Sequence, residues 1–303
     1  MYSFSTCWNS HRHSDGRAML REIRELGFEY AELSHGIRLT LVPGILEAVD
    51  KGDIKISSLH NFCPLPMGVT QAAPNLYEFS AEDIRERDLA IKHTQKTFEF
   101  AARVKAKTIV LHLGSIEMKD YTGKLAGLLE SDARSSKKFQ ILQEDALRAR
   151  EDKKGKFYTR MKETLRKILP EAESRGLTLG CENRQALEEL PLDEDFNDFF
   201  AEFQNPAVAY WHDTGHAQIK ENLGVIEHAR ILQTLAPRLA GFHVHDVIFP
   251  DRDHMAPTEG MIDFAALKPF VTPRHIKVFE LSPSLSLEAV RAGIKHIKSI
   301  WGD

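Results

Sequence analysis

The stretch GFHVHD, residues 241 to 246, starts on glycine, runs through apolar and β-branched residues, and ends on two histidines and an aspartate. Side chains alternate across a strand, so His243 and His245 share one face and Asp246 takes the other. Seven more runs of similar make-up are spaced along the chain: YSFSTCW (2–8), FEYAEL (28–33), IKISSLH (54–60), TIVLHL (108–113), LTLGCE (177–182), VAYWHD (208–213) and IKVFEL (276–281). Between them lie amphipathic stretches. In DGRAMLREIRELG (15–27), Met19, Leu20, Ile23 and Leu26 make a stripe that Gly27 closes. Others are SAEDIRERDLAIKHTQKTFEFAARVK (80–105) and SLEAVRAGIKHIKSIW (286–301). Strand runs alternating with longer helical ones argue for a parallel sheet wrapped by helices. Eight such units in 303 residues fit an α/β fold of the (β/α)8 TIM barrel kind, commonly about 250 residues long. A doubly wound sheet is the alternative.

The 303 residues are read as one barrel domain, 42% hydrophobic and able to bury a large core. Residues 115–157 are too long and too charged for a bare loop, and are expected to form a helical excursion over the C-terminal face after the fourth strand. The net charge of −4 provides no general basic field for nucleic acid or an anionic membrane, and neither is expected as a partner. Cys7, Cys63 and Cys181 are odd in number and have no CxxC spacing, which speaks against a disulfide framework or a cysteine zinc site and fits a reducing, cytoplasmic setting. Cys181 reads as a small buried hydrophobe. The N-terminal segment lacks the pattern of a leader, and no apolar run approaches the roughly 20 residues of a membrane helix.

Barrel active sites are built where strands end. Here the runs end on or carry His60, His112, Glu182, Asp213, His243 with His245, and Glu280. Carboxylates and imidazoles converging on a low-dielectric mouth need a cation or a substrate to pair with them. Two glutamates, one aspartate and one histidine make an oxygen-rich set suited to manganese, magnesium, cobalt or zinc in an open site, where the metal polarises an oxygen and a carboxylate moves a proton.

These strand ends resemble the xylose isomerase-like TIM barrel superfamily, which includes sugar and sugar-phosphate isomerases and epimerases, related dehydratases and the endonuclease IV phosphodiesterases. The resemblance is carried by LHNFCP (59–64), LHLGS (111–115), CEN (181–183), HDTGH (212–216), HVHD (243–246), DRDHMAPTEGMIDF (251–264) and FELS (279–282). It implies a metal held by Glu182, Asp213, His243 and Glu280, with Glu182 and Glu280 also the catalytic pair that shuttles a proton through a cis-enediolate. His216 would hydrogen-bond the substrate. His245 stands where relatives often carry a substrate-contacting lysine, and it reads equally as a packing histidine. Asp246 is expected to orient a ring nitrogen or cap the loop. His254 stands where relatives place a histidine that contacts metal or phosphate.

His60 and His112 are candidates for substrate hydroxyls or further metals, Trp8 and Trp211 for an apolar wall, and Arg184 and Arg252 for a substrate anion. The implied function is a divalent-metal-dependent isomerase or epimerase of a keto sugar, polyol-derived ketone or sugar phosphate, with a dehydratase as close cousin. The alternative is a metal-cluster phosphodiesterase cutting DNA at abasic sites, and Arg252 stands where that group has an aspartate ligand. Apolar residues in 61–80 allow a homo-oligomer in which they cover a partner's mouth.

Overall fold

The eight runs become eight parallel strands of a closed ring in the computed structural model, which describes every residue except 132, 133 and 135. The strands are β1 (Tyr2–Ser5), β2 (Tyr30–Leu33), β3 (Lys55–His60), β4 (Thr108–Leu111), β5 (Thr178–Glu182), β6 (Val208–Asp213), β7 (Leu239–Val244) and β10 (Ile276–Phe279). β8 (Asp246–Ile248) and β9 (Arg252–Met255) form a separate antiparallel hairpin between β7 and β10. The ring order β1-β10-β7-β6-β5-β4-β3-β2 closes on itself, which makes the fold a TIM barrel and sets aside the doubly wound sheet. The last barrel strand follows a hairpin that the sequence pattern did not separate from its loop.

Helices wrap the ring as the apolar stripes require. The helix Gly16–Glu25 buries Met19, Leu20 and Ile23, is capped by the Asp15 carboxylate accepting from the Arg17 and Ala18 amides, and ends at Gly27, whose φ of 95° suits glycine. The main core fills the space between strands and helices. Inside the ring, Val110, Trp211, Ile276 and Val278 form a smaller cluster of their own. Trp211 takes its space from two glycines: a Cβ on Gly241 would lie 2.4 Å from Trp211 Cζ3, and one on Gly180 would lie 3.1 Å from Cε3. The glycine that opens GFHVHD is thus there for an indole. Trp211 is fully buried beneath His243, at 5.2 Å between ring centroids, so it is barrel filling and not a wall for a sugar.

The excursion runs differently from expectation. A helix at Thr122–Glu130 is followed by a 38-residue helix, Lys137–Ser174, which does not stop at 157 but continues into the barrel helix preceding β5. Residues 132, 133 and 135 of the excursion lie outside the described residues. The described ones line no part of the central cavity. Instead, buried Arg150 clamps the loop after β5: its guanidinium donates to the Leu187 carbonyl at 2.5 Å, the Glu189 carbonyl at 2.9 Å and Asp195 Oδ2 at 2.6 Å. Among the described residues, no helix is long and apolar enough to cross a membrane.

Two glycine substitutions should act oppositely. Gly241→Ala, forced against Trp211 and the Ile276 carbonyl, should destabilise the fold by about 1–3 kcal/mol. Gly155→Ala, on the exposed face of the long helix with open space around it, should stabilise it by roughly 0.5–1 kcal/mol. Urea unfolding midpoints of the two variants against the parent check both signs.

Candidate active site

Four consecutive neighbours in the ring, β10, β7, β6 and β5, deliver Glu280, His243, Asp213 and Glu182 to one point at the C-terminal end of the barrel. Each offers a ligand atom, and the four atoms lie within 4.8 Å of one another. His243 Nδ1 is the centre of the group: 2.5 Å from Glu182 Oε1, 2.9 Å from Glu280 Oε2 and 3.8 Å from Asp213 Oδ2. All four residues are buried.

Burial alone would raise the carboxyl pKa values, but the surrounding imidazoles reverse it. Glu182 is held well below the usual range by His243, His112 and His60, Asp213 below it by His216 and His245, and Glu280 well below it by His243, His254 and His60. His243 responds in kind: burial would lower it, yet Glu280, Glu32 and Glu182 push it well above its ordinary value. One imidazolium does not balance so many buried carboxylates, whereas a divalent cation at the centre of three carboxylates and an imidazole does. The donor set fits manganese, magnesium, cobalt or zinc.

A second layer holds these side chains in place. Glu32, at the end of β2 and fully buried, lies across the ring with both carboxylate oxygens 3.2 Å from His243 Nε2, and accepts from Ser58 Oγ at 2.8 Å. A carboxylate behind a metal-binding imidazole fixes its orientation and raises its basicity. Glu32 is absent from the candidates that strand ends provide; its signal in the sequence is an acid inside the apolar run FEYAEL. Asp213 is fixed twice, accepting from the His216 amide at 2.7 Å and from His245 Nε2 at 2.9 Å. The His254 amide donates to His245 Nδ1 at 2.9 Å, so the His245 proton must sit on Nε2 and point at Asp213. His245 is fully buried and supports Asp213; it does not line the cavity where the substrate contact was expected. Asp246 caps the loop, accepting from the Val247, Gly260 and Ile262 amides.

The cavity above the quartet is about 670 Å³, within the usual range for a small molecule. Glu182 and Glu280 line it, and Asp213 and His243 do not. His60, His112, His216 and His254 line it as well. His60 Nε2 lies 3.6 Å and His112 Nε2 2.8 Å from Glu182 Oε2. His216 Nδ1 donates to the Asn183 carbonyl at 2.9 Å, which leaves Nε2 facing Asp253 Oδ2 at 4.0 Å. His254, at a φ of 55°, stacks on His245 at 4.3 Å and is carried up to about 9: burial opposes protonation, but a 3.0 Å contact with Asp253 overrides it.

Two further expectations fail on geometry. Trp8 is buried against Phe4, donates to the Leu285 carbonyl and carries the Arg12 guanidinium on its face at 4.1 Å, so it faces the core side. Its neighbours Cys7, Ser10 and His11 line the cavity in its place. Arg252 is exposed at the start of β9 and lines no part of the cavity, whereas Asp253 beside it does. Arg184 does reach the cavity, paired with Glu189 at 3.0 Å and Glu182 at 3.3 Å and 2.7 Å from His112 Nε2.

A family model described as a xylose isomerase-like TIM barrel matches residues 20–300. The chain belongs to that family. No curated protein sequence matches significantly. Among solved xylose isomerase-like folds, a D-tagatose 3-epimerase-like protein has a TM-score of 0.70 at 15% identity, covering 99% of this chain and 96% of the other. An E. coli 3-keto-D-glucoside 4-epimerase in its apo form has a TM-score of 0.68 at 15% identity, covering 98% of both chains. A D-psicose 3-epimerase crystallised in the presence of D-fructose has a TM-score of 0.65 at 14% identity, covering 100% of this chain and 99% of the other. At these identities the likeness is one of fold.

Glu32→Gln keeps the shape of its side chain but removes the charge behind His243. Isothermal titration with Mn²⁺ should show a roughly 10- to 100-fold weaker affinity in this variant with an unchanged far-UV spectrum. Equal affinities would mean that Glu32 does no more than fill space.

Proposed function

We propose that this protein is a divalent-metal-dependent isomerase or epimerase of a keto sugar, polyol-derived ketone or sugar phosphate. One observation carries the reading: of the four convergent ligand residues, the two that also line the cavity are the glutamates, delivered from the two outer strands of the four, β5 and β10. A substrate seated in the cavity is thereby flanked by two carboxylates, the arrangement needed to remove a proton from one side of a carbon and return it on the other.

A bound divalent cation would polarise the substrate's carbonyl and neighbouring hydroxyl and so acidify the C–H beside the carbonyl. Glu182, kept ionised by the histidines around it, takes that proton to give a cis-enediolate; Glu280, ionised at rest, takes up a proton from solvent and passes it to the opposite face, Glu182 then releases its own to solvent, and the reverse reaction exchanges their roles. Asp213 and His243 lie beneath the glutamates as ligands alone, and His216 Nε2 is placed to hydrogen-bond a substrate oxygen. The sugar epimerases among the similar folds support the same reading.

A metal-cluster phosphodiesterase has one observation in its favour: His60, Glu182 and His243, and separately Asp213, His216 and His245, are further groups whose ligand atoms lie within 4.8 Å of one another. Metal counting separates the two readings. Elemental mass spectrometry should find close to one divalent ion per chain, and a chelator should lower the melting temperature; two or three zinc ions per chain would favour phosphoester hydrolysis.

Glu182→Gln and Glu280→Gln should each reduce solvent-proton exchange at the substrate's α-carbon by about 10²-fold or more, read by deuterium incorporation. Exchange that persists at the parent rate in both variants excludes the two-glutamate mechanism.

A further inference from the structure

The cavity is chemically two-sided. Its acidic lining residues, Glu182, Asp253 and Glu280, all come from β5 onward in the chain. The wall built after β1, β2 and β3 offers Ser10, His11, Ser34, His35, Arg38, Thr70 and Gln71, with no carboxylate among them. In the ring, β2 is separated from β6 by β1, β10 and β7 on one side and by β3, β4 and β5 on the other, so its loop stands opposite the strand that carries Asp213.

Three fixed or strongly held cations line this cavity, and two of them are already neutralised. Arg184 is paired with Glu189 and Glu182, and His254 with Asp253. Arg38 is different: among the described residues no carboxylate lies within ion-pair distance of it. Its Nη2 donates to the backbone carbonyls of Ser10 at 2.9 Å and His13 at 2.5 Å, which fixes a half-buried guanidinium in the wall and, among the described residues, leaves Nη1 and Nε without a partner. Beside it on the same wall, His35 Nδ1 is buried with no hydrogen-bond partner. A pre-positioned guanidinium facing a cavity without a counter-charge is a receptor for an anion.

We propose that Arg38 forms an anion-binding subsite that takes a carboxylate or phosphate on the non-reacting end of the substrate. This rests on the preceding reading of the site: the carbonyl end of the ligand is held at the quartet, and the ligand spans the cavity toward β2. The substrate class is therefore an acidic ketose, a keto sugar acid or a ketose phosphate, and not a neutral ketose.

Three probes alike at the carbonyl end and different at C6 test this: D-fructose, D-fructuronate and D-fructose 6-phosphate, titrated calorimetrically into the Mn²⁺-loaded protein. At least one anionic probe should bind roughly 10- to 100-fold more tightly than D-fructose, and the stronger of the two identifies carboxylate or phosphate. Arg38→Met should erase that preference while leaving D-fructose affinity unchanged, and Arg38→Lys should keep part of it. Equal binding of the three probes, no binding of any, or a preference that survives in Arg38→Met overturns the proposal. Mn²⁺ titration of the same samples is the separate check on the metal site: failure to bind Mn²⁺ counts against the metal-dependent reading, and loss of charge preference with Mn²⁺ bound counts against the subsite alone.

Discussion

Buried negative charge at the end of the barrel is the constraint on which the rest of this structure depends. Glu182, Asp213 and Glu280 are removed from water around a single imidazole, and Glu32 stands behind that imidazole. Such a group is stable only when every lone pair has a partner and the net charge is offset. Much of the surrounding architecture serves that need: His112 and Arg184 on Glu182, His245 and the His216 amide on Asp213, Ser58 on Glu32. What remains uncompensated at the centre is negative charge, which the proposed divalent cation would offset.

The supports reach outward in layers, each tied to a different part of the chain. Arg184 is fixed by Glu189, the Glu189 carbonyl is clamped by Arg150 of the long helix, and the Arg184 carbonyl accepts from the buried Lys220, itself paired with Asp193 at 2.5 Å. On the other side, His245 is held by the amide of His254, so the hairpin between β7 and β10 is coupled through one imidazole to Asp213. The excursion after β4 thus acts as a buttress for the loop after β5, and the cavity is roofed instead by the segment after β3, from which Thr70, Gln71, Ala72 and Pro74 line it.

Interior packing sets the floor of the site. Trp211 occupies the barrel beneath His243, and it fits because the strands on either side of β6 present glycine at Gly180 and Gly241. Large and small residues are exchanged between adjacent strands, so the imidazole meets the indole edge-on, at 70° between ring planes, and both its nitrogens are left for carboxylates, Nδ1 for Glu182 and Nε2 for Glu32.

Strand periodicity and the residues on which strands end are local properties, and they made the barrel, the convergence of Glu182, Asp213, His243 and Glu280, and the cavity-lining places of His60, His112, His216 and His254 legible in the sequence. The hairpin inside 246–255, the continuation of the excursion helix to Ser174 and the true position of Trp8 were not, because each depends on what a segment packs against. Glu32 illustrates the difference: its sequence context says only that an acid lies in an apolar strand, while its role comes from ring closure, which brings its carboxylate on β2 to His243 on β7, three places round the ring. The same holds for Arg252 and Arg38. In sequence both are arginines in loops at the mouth; the β8–β9 turn carries the first into solvent, and two backbone carbonyls fix the second in the cavity wall. Sequence determined which side chains the strand ends present, since residue type and period of two are written locally; tertiary structure decided which charges meet and which stay unpaired, since that depends on distances between strands far apart in the chain.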